Sequence, residues 1–207
     1  MNSKKYLDDI SEIKNMMSKS SRFMSLSGLS GILAGVYALI GSYLAHNIIY
    51  SIKSEPNKLM QFFMTYNSLD YLLIIALSVM GLALFTGIIL TYYKAKKSGE
   101  KIWDVSSKRL IINFALPLII GGLFSLVLIQ YEYIKIIAPT TLIFYGLACV
   151  NASKYTLGGV RYLGLTIIAI GLISTQFIGY GLYFWALGFG VCHIIYGSLM
   201  YFKHDRN

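Results

Sequence analysis

Six runs of mostly apolar residues, each close to the length that crosses a lipid bilayer, divide this chain of 207 residues. An α-helix needs about 20 such residues to span the hydrocarbon layer. The runs cover residues 26–49, 71–92, 110–129, 134–150, 160–178 and 182–202. We therefore predict an all-α integral membrane bundle of six transmembrane helices, occupying residues 26–203 and followed by a short tail, 204–207.

The composition points to lipid as the solvent. Hydrophobic residues make up 56% of the chain and charged residues only 13%, whereas soluble domains are about 25% charged. The longest polar stretch is the N-terminal segment, which is too short to bury a core of its own.

Lysine and arginine are divided very unequally between the two sides of the predicted membrane domain. The N-terminal segment, the loops after the second and fourth runs, and the C-terminus hold 15 of the 18, and the other three are Lys53, Lys58 and Lys135. Because basic loops stay on the cytosolic side, we expect both termini in the cytosol. An odd number of helices would break this alternation.

Two cytosolic segments are candidates for binding. Residues 1–25 carry Leu7, Ile10, Ile13 and Met17 at helical spacing, which predicts an amphipathic helix. This helix would lie on the inner leaflet or dock on a protein partner. The loop 94–109 is basic and is explained by contact with anionic lipid head groups, with a cytosolic protein as the alternative. Since topology accounts for the charge, we expect no nucleic-acid partner.

The predicted loop 51–70 contains Pro56 followed by a cluster of apolar residues between 59 and 64. This pattern predicts a short interfacial or re-entrant helix between the first two spans.

The sequence contains none of the motifs that mark nucleotide, metalloprotease or serine hydrolase sites. None of the nine carboxylates lies in the middle of a span, although ion-coupled pumps usually keep a charged group there. Neither CxxC nor a cysteine–histidine cluster occurs, so we expect no metal site and no cofactor. We also expect no enzymatic activity.

His193 is the one ionisable side chain predicted near the centre of a span. Two roles are open to it: a hydrogen bond to a neighbouring helix, or contact with a ligand, a proton or a metal. His46 lies near the outer end of the first span, very roughly 15 Å from the depth of His193. The two histidines therefore cannot share a haem iron.

Other polar and helix-breaking residues could line a path for a solute. Pro117 and Pro139 lie in two spans joined by a short turn, where proline can kink a helix. Asn113, Gln176 and Tyr196 add polar groups at several depths. Hydrogen bonding between helices is the alternative role of these side chains.

Small residues recur at a spacing of four on the first and last spans. They are Ser27, Gly31 and Gly35 on the first, and Ala186 and Gly190 on the last. Such spacing lets two helix backbones approach closely, either within one chain or at a homodimer contact.

The strings "NASKYTLGGVRYLG" and "GYGLYFWALGFGVCHIIYGSLMYFK", together with "SLSGLSGILAGVYALIGSYLA" near the start, resemble small multi-pass bacterial inner-membrane proteins without an assigned activity. The resemblance implies a multi-pass protein of the inner (plasma) membrane and transfers no site residue.

These observations favour a non-enzymatic interaction or regulatory membrane protein. The alternative is a small facilitator or channel for a small neutral solute or ion, with its path near His193.

Overall fold

The computed structural model describes residues 27–99, 103–156 and 159–205, without the side chains of 58–59, 61–67 and 204–205. In this part of the chain six helices are long and apolar enough to cross a membrane, which confirms that prediction. The same residues contain no β-strand. The predicted amphipathic helix of residues 1–25 lies outside the described residues.

The helices in chain order are α1 (Gly28–Lys53), α2 (Lys58–Lys97), α3 (Val105–Gln130), α4 (Ile137–Ala152), α5 (Gly159–Gln176) and α6 (Gly181–Lys203). Short 3₁₀ turns, Ile134–Ile136 and Ser153–Tyr155, flank α4.

Helix α2 differs most from its predicted span, 71–92. It begins at Lys58, so the separate interfacial helix expected in the loop 51–70 is instead the first part of α2. At about 1.5 Å per residue its 40 residues measure about 60 Å, roughly twice the hydrocarbon thickness. The helix therefore extends well beyond the bilayer.

Neighbouring helices run antiparallel, so the starts of α1, α3 and α5 lie at the same end of the bundle as the ends of the other three. Among the described residues, that end carries eight basic and two acidic residues, while the opposite end carries three of each. We call it the basic end. The excess positive charge of the described residues thus lies at one end of the bundle.

Helix α6 joins two groups of helices. The first group is α1 with α2, and the second is α3, α4 and α5. Helix α6 contacts α1 on one side and α4 and α5 on the other. Within the described residues, contacts between the two groups that bypass α6 are at most marginal. The position of α6 therefore fixes the two groups relative to each other.

Glycines bring α1 and α6 into backbone contact. A Cβ atom at Gly35 would lie 2.6 Å from the Gly190 carbonyl oxygen, and one at Gly197 would lie 2.6 Å from the Ile32 nitrogen. Gly31 likewise faces the Cα of Gly197. Any larger side chain at these positions would push the helices apart.

A second close contact joins α4 and α5. A Cβ atom at Gly146 would lie 2.7 Å from the Gly164 carbonyl oxygen, and the reverse distance is also 2.7 Å. The largest fully buried apolar side chains, Leu142 and Ile167, lie on this pair of helices. The α4–α5 pair with the adjoining part of α6 therefore holds the main apolar core of the described residues.

The turn between α3 and α4 contains an unusual backbone conformation. Glu132 has a φ angle of 62°, and the next amide, that of Tyr133, donates to the Leu128 carbonyl at 2.8 Å. This is the Schellman type of helix ending, in which glycine normally occupies the left-handed position. The α5–α6 turn uses a glycine in the same region, Gly179, with a φ angle of 99°.

Candidate functional site

His193 lies close to the middle of α6, about 12 residues from its start, and only 6% of its surface is exposed. Its Nε2 atom is 2.7 Å from the hydroxyl oxygen of Tyr145 on α4. Its Nδ1 atom is 3.0 Å from the carbonyl oxygen of Gly188 on its own helix. Both ring nitrogens therefore have partners inside the protein.

These contacts define the tautomer of the imidazole ring. A carbonyl oxygen can only accept, so Nδ1 carries the proton and donates to Gly188. In the neutral ring Nε2 is then an acceptor, and the Tyr145 hydroxyl donates to it. The pair is fully satisfied as a neutral unit, which is the inexpensive way to bury an imidazole at this depth.

The helix is irregular next to His193. Residues Ala186–Val191 form a π-helical segment, and the ordinary α-helix resumes at Cys192–Met200. A Cβ atom at Gly188 would lie 2.5 Å from a methyl carbon of Leu142 on α4, and one at Gly190 would lie 2.4 Å from a methyl carbon of Leu39 on α1. The wider turn is thus enclosed between the two groups of helices, at the level of the histidine. Such π-helical segments frequently mark functional sites.

Aromatic rings surround the pair. Tyr145 contacts Phe189 with ring centroids 4.9 Å apart and Phe114 of α3 at 5.8 Å. Phe189 also lies 4.8 Å from the centroid of Trp185. These rings, from α3 and α6, give the pair apolar surroundings, which increase the strength of the hydrogen bond between His193 and Tyr145.

Two further polar side chains belong to this region. The thiol of Cys149, one helical turn from Tyr145, is 2% exposed. The ring of Tyr196, on α6, packs against the same apolar core and reaches Gly159 at the start of α5. Its hydroxyl oxygen is buried and has no hydrogen-bond partner among the described residues. The Tyr196 hydroxyl is therefore the one candidate of this cluster still able to bind a water molecule or a solute.

Asn113 and Pro117 take part in a contact between α3 and α4. Proline has no amide proton, so Pro117 leaves the carbonyl of Asn113, four residues earlier, without its helical partner. The side-chain amide of Asn151 on α4 donates to that carbonyl at 2.9 Å. The Asn113 side chain itself bonds to the Arg109 carbonyl at 2.8 Å. The carbonyl that Pro117 leaves free therefore joins α3 to α4, and the Asn113 side chain is engaged within α3.

Pro139 and Gln176 do not lie near His193. Pro139 is buried in the first turn of α4, where an amide has no helical partner in any case, so it does not interrupt the helix. Gln176 is exposed at the last residue of α5, where its amide bonds to Thr175 at 3.1 Å. Of the two prolines considered for a pathway, Pro117 is thus the one that lies inside a helix.

Three of the five small residues predicted as a packing or dimer face share one contact, and the other two lie elsewhere. Gly31, Gly35 and Gly190 lie in the α1–α6 contact of a single chain. Ser27 is buried at the start of α1, and Ala186 begins the π-helical segment.

At the basic end, the start of α3 carries a defined arrangement. The Asp104 carboxylate caps the helix by accepting from the Ser107 amide at 2.6 Å and from its hydroxyl at 2.7 Å. The Lys108 ammonium group lies 5.7 Å from the centroid of the exposed Trp103 ring. Partial burial raises the pKa of the Asp104 carboxyl, but the bonds from Ser107 outweigh it, so this pKa lies below its ordinary value of 3.8.

Tyr145 is the functional candidate that the sequence patterns did not identify. A signal was present, because tyrosine is enriched at membrane interfaces and Tyr145 lies far from both ends of its span. A tyrosine in mid-membrane must place its hydroxyl on a partner in another helix.

Among the described residues, no group of three His, Cys, Asp or Glu side chains is placed to hold a metal ion. Comparisons of this chain with known protein families, curated proteins and solved structures find no match.

Proposed function

We propose that this chain is a non-enzymatic membrane protein that acts by binding a protein partner within the membrane or at its surface. The observation that supports it is that the buried histidine and the backbone carbonyl freed by proline are both hydrogen-bonded within the protein. His193 is bonded to Tyr145 and Gly188, and the carbonyl freed by Pro117 is bonded to Asn151. Groups engaged in this way are poor ligands for a passing solute.

The peripheral helices supply surface for such binding. Within the described residues helix α2 packs mainly on α1, and none of the most apolar 18 residues of its span is buried. Helix α3 packs on α4 and the turns flanking it. A membrane protein that acts by association needs lipid-facing helices of this kind.

Photocrosslinking tests this proposal directly. A photoreactive amino acid replaces Phe85 on α2, which is 64% exposed, or Leu199 on α6, which is 66% exposed. We expect a discrete protein product from position 85 that is absent from position 199. The product must also co-purify reciprocally with this chain, whether it is another protein or a second, differently tagged copy. Equal yields of lipid adducts alone at both positions would contradict the proposal.

A facilitator for a small neutral solute is the second candidate, and one observation favours it. The buried hydroxyl of Tyr196 has no partner within the described residues, and its side chain packs against the same apolar cluster as Tyr145. A buried hydroxyl without a partner costs about 1–3 kcal/mol, which a water molecule would offset.

Flux measurements separate the two candidates. Purified protein in liposomes is tested for water, glycerol and ion flux, alongside Tyr196→Phe. A facilitator would give saturable flux that falls severalfold in the variant. We expect no flux above protein-free liposomes, and saturable flux would overturn the first proposal. As a working location we infer the plasma membrane, on the basis of the resemblance to bacterial inner-membrane proteins. We infer that both termini are in the cytosol, on the basis of the charge asymmetry.

A further inference from the structure

The cations at the basic end have little compensation from nearby acids. Exposed basic side chains there include Lys96, Lys97, Lys108 and Arg109. Asp104 is the one acidic side chain that the structure describes at this end, and its Oδ1 atom is engaged by Ser107. The surface therefore presents a positive field suited to an anionic partner.

Lys108 is placed differently from the other cations. The Asp104 cap fixes the first turn of α3, and Lys108 in that turn lies over the indole ring of Trp103. Trp103 is 67% exposed, and exposed indole rings prefer the depth of lipid head groups. An ammonium group held over such a ring is positioned where a lipid phosphate would lie.

An apolar surface continues from Lys108 along the same face of α3. Residues at spacings of three and four follow it, and each is at least half exposed: Ile112 (64%), Leu116 (57%), Ile119 (60%) and Leu123 (60%). The opposite face packs on α4 through residues such as Gly121 and Phe124. Lys108 to Leu123 spans about 22 Å at 1.5 Å per residue. One leaflet of hydrocarbon is about 15 Å thick, so an acyl chain fits alongside this stripe.

From this combination we propose that α3 binds one anionic phospholipid at a defined position. The phosphate group contacts Lys108 and Arg109 beside the Trp103 ring, and an acyl chain lies along Ile112, Leu116 and Ile119. The cations select a negative head group, and the apolar stripe distinguishes a phospholipid from a free phosphate ion. This inference does not depend on the protein partner proposed above.

Native mass spectrometry tests the site. The protein is purified in detergent micelles containing equal amounts of phosphatidylglycerol and phosphatidylcholine, and the retained lipids are counted. Each cation near a membrane surface contributes about fivefold to the affinity for anionic lipid. We expect Lys108→Ala with Arg109→Ala to lower phosphatidylglycerol retention about 25-fold. The control Lys135→Ala, an exposed lysine at the neutral end, should leave it unchanged.

Three outcomes would overturn the proposal. They are an unaltered phosphatidylglycerol preference in the double variant, equal retention of both lipids by the unmodified protein, and displacement of phosphatidylglycerol by an equal concentration of inorganic phosphate. If the double variant does not fold, the unmodified protein still decides the matter. Its preference for phosphatidylglycerol must then fall severalfold when the salt concentration is raised from 0.05 to about 0.5 M.

Discussion

The side-chain amide of Asn151 donates a hydrogen bond of 2.9 Å to the backbone carbonyl of Asn113, the carbonyl that Pro117 leaves without a helical partner. The bond joins α4 to α3 at a point where the helix would otherwise expose a bare carbonyl to lipid. The cost of the proline on one helix is therefore offset by a side chain on the next.

We predict that Asn151→Leu lowers the free energy of unfolding by about 1–2 kcal/mol, because the freed carbonyl then has no donor. In a Pro117→Ala background the restored amide should take over that carbonyl, and Asn151→Leu should cost much less. Reversible unfolding in mixed micelles, arranged as a double-mutant cycle, measures the coupling. Additive effects would show that the two residues act independently.

The pair Tyr145–His193 predicts a different pattern. Tyr145→Phe leaves Nε2 of His193 without a donor and should cost about 1–3 kcal/mol. The double variant Tyr145→Phe with His193→Leu removes both polar groups, so it should be more stable than the worse of the single variants. The same unfolding assay applies. A double variant that loses the sum of the two single effects would contradict the account of a mutually satisfied pair.

Substitution of glycine by alanine should have opposite effects on stability at Gly197, which lies in the α1–α6 contact, and at Gly87, which lies outside it. Gly197→Ala places a Cβ atom 2.6 Å from the Ile32 nitrogen and should cost about 2 kcal/mol. Gly87→Ala, on α2, meets no atom within 4 Å and should gain about 0.5–1 kcal/mol from its higher helix propensity. Equal effects in thermal unfolding would place Gly197 outside a close contact.

Glu132 and Gly179, which have positive φ angles in two of the turns between helices, form another matched comparison. Glu132→Gly should raise the free energy of unfolding by about 1 kcal/mol, because glycine adopts this conformation without the Cβ clash. Gly179→Ala should lower it by a similar amount, since no neighbouring atom lies within 4 Å and backbone strain alone acts. Opposite shifts of the melting temperature would confirm both.

The capping carboxylate of Asp104 predicts an acid-sensitive contribution to stability. Its pKa is depressed in the folded protein, so the contribution is complete above the ordinary value of 3.8 and is lost as the pH falls through the lower folded value. Asp104→Asn keeps a capping oxygen without a titrating group and should remove this part of the pH dependence. Unfolding measured between pH 5 and about 2.5 compares the two proteins.

The six spans could be predicted from the sequence because hydrophobic runs of this length have few other uses. The length of α2 could not, since Asp70 and the polar residues before it separate the predicted span 71–92 from the apolar cluster at 59–64, which predicts a separate short helix. Which helices pack against each other could not be predicted either, because lipid-facing and protein-facing side chains are both apolar. Nothing local showed that Gly35 would meet Gly190.

The polar residues show the same limit. The mid-membrane position of His193 can be predicted from the sequence, but its hydrogen-bond partner Tyr145 lies 48 residues away in the sequence. Pro117 predicts a freed carbonyl, yet the donor Asn151 is known only once α3 and α4 are placed side by side. Hydrogen bonds between two helices can be identified only once the packing of those helices is known.

The central place of α6 has a consequence for biosynthesis. Of the six helices described, α1 is synthesised before the others, and α6, which covers its glycine face, is synthesised after them. At roughly 5–20 residues per second, α1 waits on the order of 10 s for its partner. Until α6 is inserted, the described residues of the two groups have at most marginal contacts with each other, so a polypeptide released before Gly181 would lack the helix that holds them together.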